Sequence, residues 1–194
     1  YLPMDEKHSI NCQSPYAASK ASADQLALSF YRSFNLPVKI IRPFNTYGPR
    51  QSNRAIIPTI INQCLKNKKG NIVLGNLKPK RDLNYVEDVS EAFFEIYKKN
   101  KLIGEVVNVG SNTNISVEEL ARKIFRIMKV DCKIKSSKIK IRPKSSEVYN
   151  LKCQNKKIIR FTNWKSKTNL ETGLKKTIQW IKSNQAHYSD IYTI

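Results

Sequence analysis

Glycine is scarce. The 194 residues hold six, and no two of them stand in G-x-G spacing. A Gly-rich cradle of the GxGxxG kind is therefore absent from this sequence. Histidine is scarcer still, with His8 and His187 near opposite ends. Cys12, Cys64, Cys132 and Cys153 are widely separated and form no CxxC or Cys/His cluster. Zinc is thus not expected, and reduced thiols in a cytoplasmic protein are the simplest account. No apolar run approaches the ~20 residues a membrane helix needs. Tyr1 to Ile10 mixes charge, proline and polar residues, so it does not read as a secretory signal. Acid is short as well: 15 Asp plus Glu face 35 Lys plus Arg, a net charge of +20.

What is present is enough for a real core. Hydrophobic residues make up 40% of the chain, which excludes a disordered tail. The length fits one domain, or one and a piece. The basic excess is uneven: residues 1–97 hold 13 basic and 8 acidic side chains, residues 98–194 hold 22 and 7. Such a half attracts nucleic acid, anionic membrane or phosphorylated ligands in principle. The excess is mostly scattered Lys, which favours a solvated surface. No RNP, zinc or helix-turn-helix pattern accompanies it. A nucleic-acid-binding module is the distant alternative. The densest run, Lys133 to Lys144, alternates Lys with Ile and predicts a half-buried strand with a wet basic face.

Ser14-Pro15 predicts a helix start, with Ser14 as cap, and the Ala/Leu-rich stretch to about Phe34 continues it. Val38 to Ile41 reads as a strand, Arg42 to Asn53 as a loop, and Ile56 to Leu65 as a helix. Ile72 to Leu74 and Asp82 to Val86 read as short strands around a turn at Gly75 to Arg81. Glu87 to Lys98 is a helix with an apolar stripe. Val106 to Gly110 is a buried strand. Ser116 to Glu119 is a capping box opening a helix to about Lys129, and Thr168 to Glu171 is a second one. Alternating strands and helices predict an α/β fold with a mostly parallel sheet.

Tyr16 and Lys20, four residues apart on the first helix, share one face one turn apart. A phenol titrates near ~10, and a neighbouring ammonium favours its ionised form. Such a pair can take a proton from an alcohol while hydride leaves the carbon. An ordinary amphipathic pair has the same spacing, so the context decides.

That context is a series of segments. Ser14-Pro15-Tyr16-Ala17-Ala18-Ser19-Lys20 resembles the SPYxxSK signature of extended short-chain dehydrogenases that act on nucleotide sugars. Asp24 falls where these enzymes often carry an acid. Arg42 to Pro49 is similar to their R-x-x-N-x-Y-G-P loop, and Arg81 to Val89 to their R-D-F-x-Y-V-x-D-V segment. Asn108-Val109-Gly110, Arg142 to Val148, and the stretch from Trp164 through Gly173 to Trp180 match later elements in order.

The resemblance implies the C-terminal portion of a Rossmann-like fold with a smaller α/β substrate-binding domain. Residues 1–55 and 86–112 fall to the NAD-binding part and residues 56–85 and 113–194 to the substrate part. It implies a fragment, with the Gly-rich turn and the family's catalytic Ser or Thr upstream of Tyr1. Used alone, this stretch is expected to be inactive. Tyr16 is then the acid/base at the sugar C4 hydroxyl. Lys20 bonds the nicotinamide ribose, and Pro43 lines the nicotinamide pocket. Asn45, Arg81 and Arg142 fall to the substrate diphosphate, and Glu147 to a ribose hydroxyl. The plainer readings are a turn residue for Asn45, solvated surface for the arginines, and a lysine partner for Glu147. Tyr47 and Gly48-Pro49 shape their loop, and Trp164 and Trp180 belong to the core.

The activity implied is that of an NAD-dependent nucleotide-sugar 4,6-dehydratase. A 4-epimerase or a uronate decarboxylase of the same family is the alternative, and a non-catalytic sugar-nucleotide binder is a third class. The resemblance also implies a homodimer through the Tyr16–Lys20 helix, where Ala17, Ala18, Ala21, Ala23 and Ala27 permit close approach. No metal is implied.

Overall fold

The computed structural model describes residues 1–188 apart from Lys138, Lys140 and Arg142. Helix α1 (Pro15–Phe34) begins as expected: Ser14 is extended and its hydroxyl accepts the Ala17 N–H. Asn35, in the left-handed region at φ 56°, ends it before Pro37 is reached. Strand β1 (Ile40–Pro43) starts two residues later than Val38, because its ladder is set by β6 (Val106–Val109), with Ile40 opposite Val106. The pair is parallel.

The chain between them builds a second unit. The expected loop contains a two-residue strand, β2 (Thr46–Tyr47), parallel to β5 (Asn84–Tyr85). Helix α2 (Ile56–Lys66) leads into β3 (Asn71–Leu74). The expected turn at 75–81 ends in β4 (Lys80–Arg81), antiparallel to β7 (Ile115–Ser116). Helix α3 (Val86–Tyr97) precedes β6, and α4 (Val117–Met128) follows β7 with the capping box of Ser116 and Glu119 fully made. Strand β8 (Lys133–Ser136) lies parallel to β3 with only Ile134 of its four residues turned inward. Helix α5 (Lys156–Phe161) has no counterpart in the pattern reading, since six residues are too few for a helical period. Helix α6 (Leu170–Ser183) is capped by Asn169, which accepts from Thr172. The expected second capping box is not formed: the Thr168 hydroxyl is taken by Asp88, and Asn169, one residue later, caps the helix alone. The fold is α/β as expected, and among the described residues three of the four two-stranded ladders are parallel.

Two cores result. The larger gathers α2, α4 and α6 over β3, with Tyr47 and Tyr85 edge to face at 5.8 Å. The smaller packs Ala92 and Ile96 of α3, Leu102, Ile158 of α5 and Trp164 on Val107 and Val109 of β6. Trp164 is buried and its indole N–H donates to the Asp88 carbonyl at 2.7 Å. Trp180 is only partly buried, at the margin of the larger core.

Gly173 lies in the first half of α6, where glycine weakens a helix, and the reason is steric. A Cβ there would come within 2.1 Å of the Tyr47 hydroxyl. Gly173→Ala gains about 1 kcal/mol of helix propensity. It also forces the tyrosine aside, at about 1–3 kcal/mol. The expected result is a net loss of stability, read as a lower urea midpoint; a raised midpoint would show that Tyr47 has room to move.

Candidate active site

The N-terminus of α1, the end of β1 and the segment before α1 meet around a cleft of about 590 Å³. Tyr16, Pro43 and Asn45 line it, together with His8, Asn108 and Leu151. Tyr16 sits in the first turn of α1, is 72% exposed, and accepts the Ser19 hydroxyl on its carbonyl. The Lys20 ammonium stands 5.7 Å from the Tyr16 ring centroid, within cation–π range. The two side chains expected to work together are therefore neighbours; Tyr16 lines the cleft and Lys20 does not.

Helix and strand are held in register by one ion pair. Asp24 lies one turn beyond Lys20, and its carboxylate meets Arg42 Nε of β1 at 2.6 Å. Both partners are about three-quarters buried, so the contact fixes the orientation of α1 against the strand that ends at Pro43. Beyond Pro43 the backbone is fixed at both ends. The Phe44 N–H donates to the Val109 carbonyl at 2.8 Å, and the Asn84 N–H donates to the Asn45 carbonyl at 2.9 Å. The exposed Asn45 side chain is left facing the cleft.

The opposite wall is a segment the pattern reading passed over. Glu6 accepts the Asn108 N–H at 2.9 Å, and Asn108 Nδ2 donates to the Met4 carbonyl at 3.2 Å. Met4 also bridges to Cys153. These contacts lay residues 4–8 across the end of β6 and bring His8, its ring tilted against Tyr1 at 4.8 Å, into the cleft. Nothing local in the sequence signals this, because every contact is long-range.

Arg81 and Glu147 sit elsewhere. They pair with each other at 3.4 Å, and Arg81 also donates to the Val148 carbonyl at 2.6 Å and to the Lys80 carbonyl at 2.9 Å. The partner of Glu147 is thus an arginine. Arg81 lines a second cavity of about 770 Å³ with Arg122, Lys123, Arg126 and Lys167, and neither Arg81 nor Glu147 lines the Tyr16 cleft. Arg142 lies outside the described residues.

Next to Arg81, the fully buried Asp82 collects four donors. Asn84 Nδ2 at 3.1 Å, the Ser111 N–H at 3.0 Å and the Ser111 hydroxyl at 2.7 Å reach one oxygen; the Cys153 N–H at 3.0 Å reaches the other. Burial, and then the charge of Asp82, push the Cys153 thiol well above its ordinary range.

A helix-borne Tyr–Lys pair at the carboxyl end of a parallel strand defines an α/β protein of the dinucleotide-fold class. Residues 1–177 match the family model described as GDP-mannose 4,6 dehydratase, and the chain belongs to that family. It is 33% identical to a dTDP-D-glucose 4,6-dehydratase of Dictyostelium discoideum, over 96% of this chain and 50% of that protein. The structure superposes on Pal from Bacillus thuringiensis with a TM-score of 0.80 and 37% identity, covering 93% of this chain and 56% of the other. A UDP-glucuronic acid 4-epimerase from Bacillus cereus, solved with UDP-glucuronic acid and NAD, gives 0.81 and 25% with the same coverage. The chain spans about half the length of these relatives.

Asp82→Asn places an amide N–H against donors that now meet a carboxylate oxygen. Hydrogen bonds to a charged group contribute about 1.5–3 kcal/mol each. A loss of about 3 kcal/mol or more is expected in chemical denaturation. A loss below about 1 kcal/mol would mean that the clamp is dispensable.

Proposed function

We propose that this chain is the acid/base-bearing and sugar-binding part of an NAD-dependent nucleotide-sugar 4,6-dehydratase. The observation that carries the proposal is the single cleft shared by Tyr16, Pro43 and Asn45, with the Lys20 ammonium beside the phenol ring. Family membership supports the same chemistry.

The residues present fit one end of the cofactor. Tyr16 stands on one wall, with the Lys20 ammonium 5.7 Å from its ring, and Pro43 stands at the strand end, leaving an open space suited to a ribose and a flat ring. The Gly-rich turn for the pyrophosphate is not in this sequence. When bound, a nicotinamide cofactor supplies hydride acceptance at sugar C4 and its return at C6. Tyr16 takes the proton of the C4 hydroxyl at its phenolic oxygen. Lys20 bonds the ribose and places its positive charge on the phenol side. Pro43, a ring with no N–H, offers an apolar wall against which a flat group stacks. Asn45, held by its backbone, offers its amide to the substrate. Arg81 and Arg142 are assigned to the diphosphate and Glu147 to a nucleotide ribose. For Arg81 this requires that substrate compete with Glu147 and the Val148 carbonyl for the guanidinium fork. Loss of water across C5 and C6 gives a 4-keto-5,6-ene, and return of the hydride to C6 with a proton to C5 gives the 4-keto-6-deoxy sugar.

The division into residues 1–55 with 86–112 and residues 56–85 with 113–194 is supported by the two separate cores. Helix α5 and Trp164 join the first unit and Tyr47 the second. Homodimerisation through α1 is supported by exposure: of its twenty residues only Leu28 is buried. A cytoplasmic setting accords with the lack, among the described residues, of any helix long and apolar enough to cross a membrane.

In the complete enzyme, Tyr16→Phe is expected to lower turnover by about 10²–10⁴-fold while nucleotide-sugar affinity stays within a factor of about two. Mass spectrometry of the wild-type product should show the loss of one water. Unchanged mass would identify an epimerase, loss of carbon dioxide a decarboxylase, and full turnover by the phenylalanine variant would remove Tyr16 from the chemistry.

A further inference from the structure

Two of the four cysteines lie together although the sequence sets them far apart. Cys64 stands in the last turn of α2 and is fully buried. Cys132 immediately precedes β8 and is partly buried at the margin of the larger core. Backbone bonds around the β3–β8 ladder bring the two to one place. The Asp131 N–H donates to the Lys68 carbonyl and the Lys133 N–H to the Gly70 carbonyl, both at 3.1 Å. The chain on either side of Cys132 is thus pinned beside the segment that leaves α2. Between those two bonds the Cys132 thiol turns toward the helix end and donates to the carbonyl of Asn67, the C-cap of α2, at 3.2 Å. Cys64 lies one turn before that cap, and its thiol meets the Cys132 thiol side chain to side chain. Both are free thiols.

The two thiols are not equivalent. Burial, and then the neighbouring Cys132, push the Cys64 thiol up to about 12, so it stays protonated at neutral pH. Only Cys132 of the pair reaches the surface, so an oxidant in solution meets Cys132 first. The remaining cysteines are placed differently: Cys12 stands exposed ahead of α1, and Cys153 is buried with its backbone N–H on Asp82. Strand β8 gives the contact a mechanical meaning. Among the described residues it pairs with β3 alone, and it turns only Ile134 inward. A covalent tie just before its first residue fastens this lightly held strand to a helix whose inner face is closed.

We propose that Cys64 and Cys132 are the site of a reversible oxidative cross-link, formed by a hydroperoxide and undone by thiols, that staples β8 to α2. The chemistry divides as the burial does. The Cys132 thiolate attacks hydrogen peroxide, breaks its O–O bond and becomes a sulfenic acid; the departing hydroxide takes up the proton that the Cys132 thiol released. The Cys64 thiol, already in contact, then attacks the sulfenic sulfur. An S–S bond forms, the S–OH bond breaks, and the Cys64 proton leaves with the hydroxyl as water. Two thiols lose two hydrogens, and one peroxide is reduced by two electrons to two waters. The loop closed is about 70 residues long, in the range where a cross-link restricts the unfolded chain strongly. The proposal is independent of the dehydratase reading, since neither cysteine lines the Tyr16 cleft.

The test treats the chain with hydrogen peroxide, then unfolds and alkylates it before peptide mapping by mass spectrometry. The expected product is lighter by two hydrogens, has a disulfide joining the Cys64 and Cys132 peptides, and reverts with dithiothreitol. The cross-link should lower the unfolding equilibrium constant by about 10²-fold in urea and slow amide exchange along β8 by about tenfold. Cys132→Ser, which keeps a hydroxyl donor for Asn67, should show neither change on peroxide treatment and leave Cys64 reduced. Cys64→Ala should halt the reaction at the Cys132 sulfenic acid, which dimedone traps. A wild-type product with sulfinic acid at Cys132 and Cys64 still open to alkylation would overturn the cross-link. So would a disulfide through Cys12 between chains that leaves Cys64 and Cys132 free. A Cys64–Cys132 disulfide with β8 exchange unchanged would overturn the staple.

Discussion

The Asp82 carboxylate draws donors from three stretches of chain that are remote in sequence: Asn84 of β5, Ser111 after β6, and Cys153 before α5. It sits at zero exposure, where water cannot substitute for any of them. Removing one partner from such a group leaves a buried charge or a buried donor unmet, and the penalty exceeds the net value of the bond. The consequence is geometric. Ser111 fixes where the chain leaves β6, Asn84 fixes where β5 enters α3, and Cys153 fixes the strip that bridges to Met4. The cleft wall at Met4 and Asn108 is therefore positioned by a carboxylate that does not line it.

A second constraint acts from the other side. Arg42 and Asp24 tie α1 to β1, and α1 carries Tyr16 and Lys20 two turns and one turn before Asp24 on the same stripe. Partly exposed ion pairs contribute little to stability. This one matters for orientation, because α1 has a single buried residue and otherwise few contacts to hold its roll about its axis. The Tyr16–Lys20 pair is thus placed by a short polar contact on an under-packed helix. The substrate-side loop at Asn45, by contrast, is placed by backbone hydrogen bonds to β5 and β6. The cleft joins a well-anchored wall to a lightly anchored one.

Much of this was legible in the residues. Ser14-Pro15, the Ser116–Glu119 box and the stripes of α2, α3 and α6 are local signals, and local signals set helix starts and buried faces. The Tyr16–Lys20 neighbourhood follows from helical spacing alone. The strands β2 and β4 were not legible, because two residues carry no period; each exists only through its partner, β5 or β7. The wall formed by residues 4–8 was hidden for the same reason. Arg81 and Glu147 show a different limit. Their motifs give residue type and order, but only the fold shows that the two groups face each other away from the Tyr16 cleft.

The unevenness of the packing follows the same logic. The core under α2, α4 and α6 is closed: Ile57, Ile60, Ile61, Leu174 and Ile181 are at or near zero exposure. The β1–β6 unit is closed only on the face covered by α3 and α5, and its outer edge and the aromatic end of α3 are bare. A chain that buries one unit completely and leaves the next half-covered has its stability concentrated in the α2–α4–α6 unit and its unsatisfied surface around the parallel ladder. The Tyr16 cleft lies at the end of that ladder, on the less closed of the two units. The Tyr16–Lys20 neighbourhood is set locally by helical spacing, whereas the cleft that Tyr16 lines is set by long-range contacts.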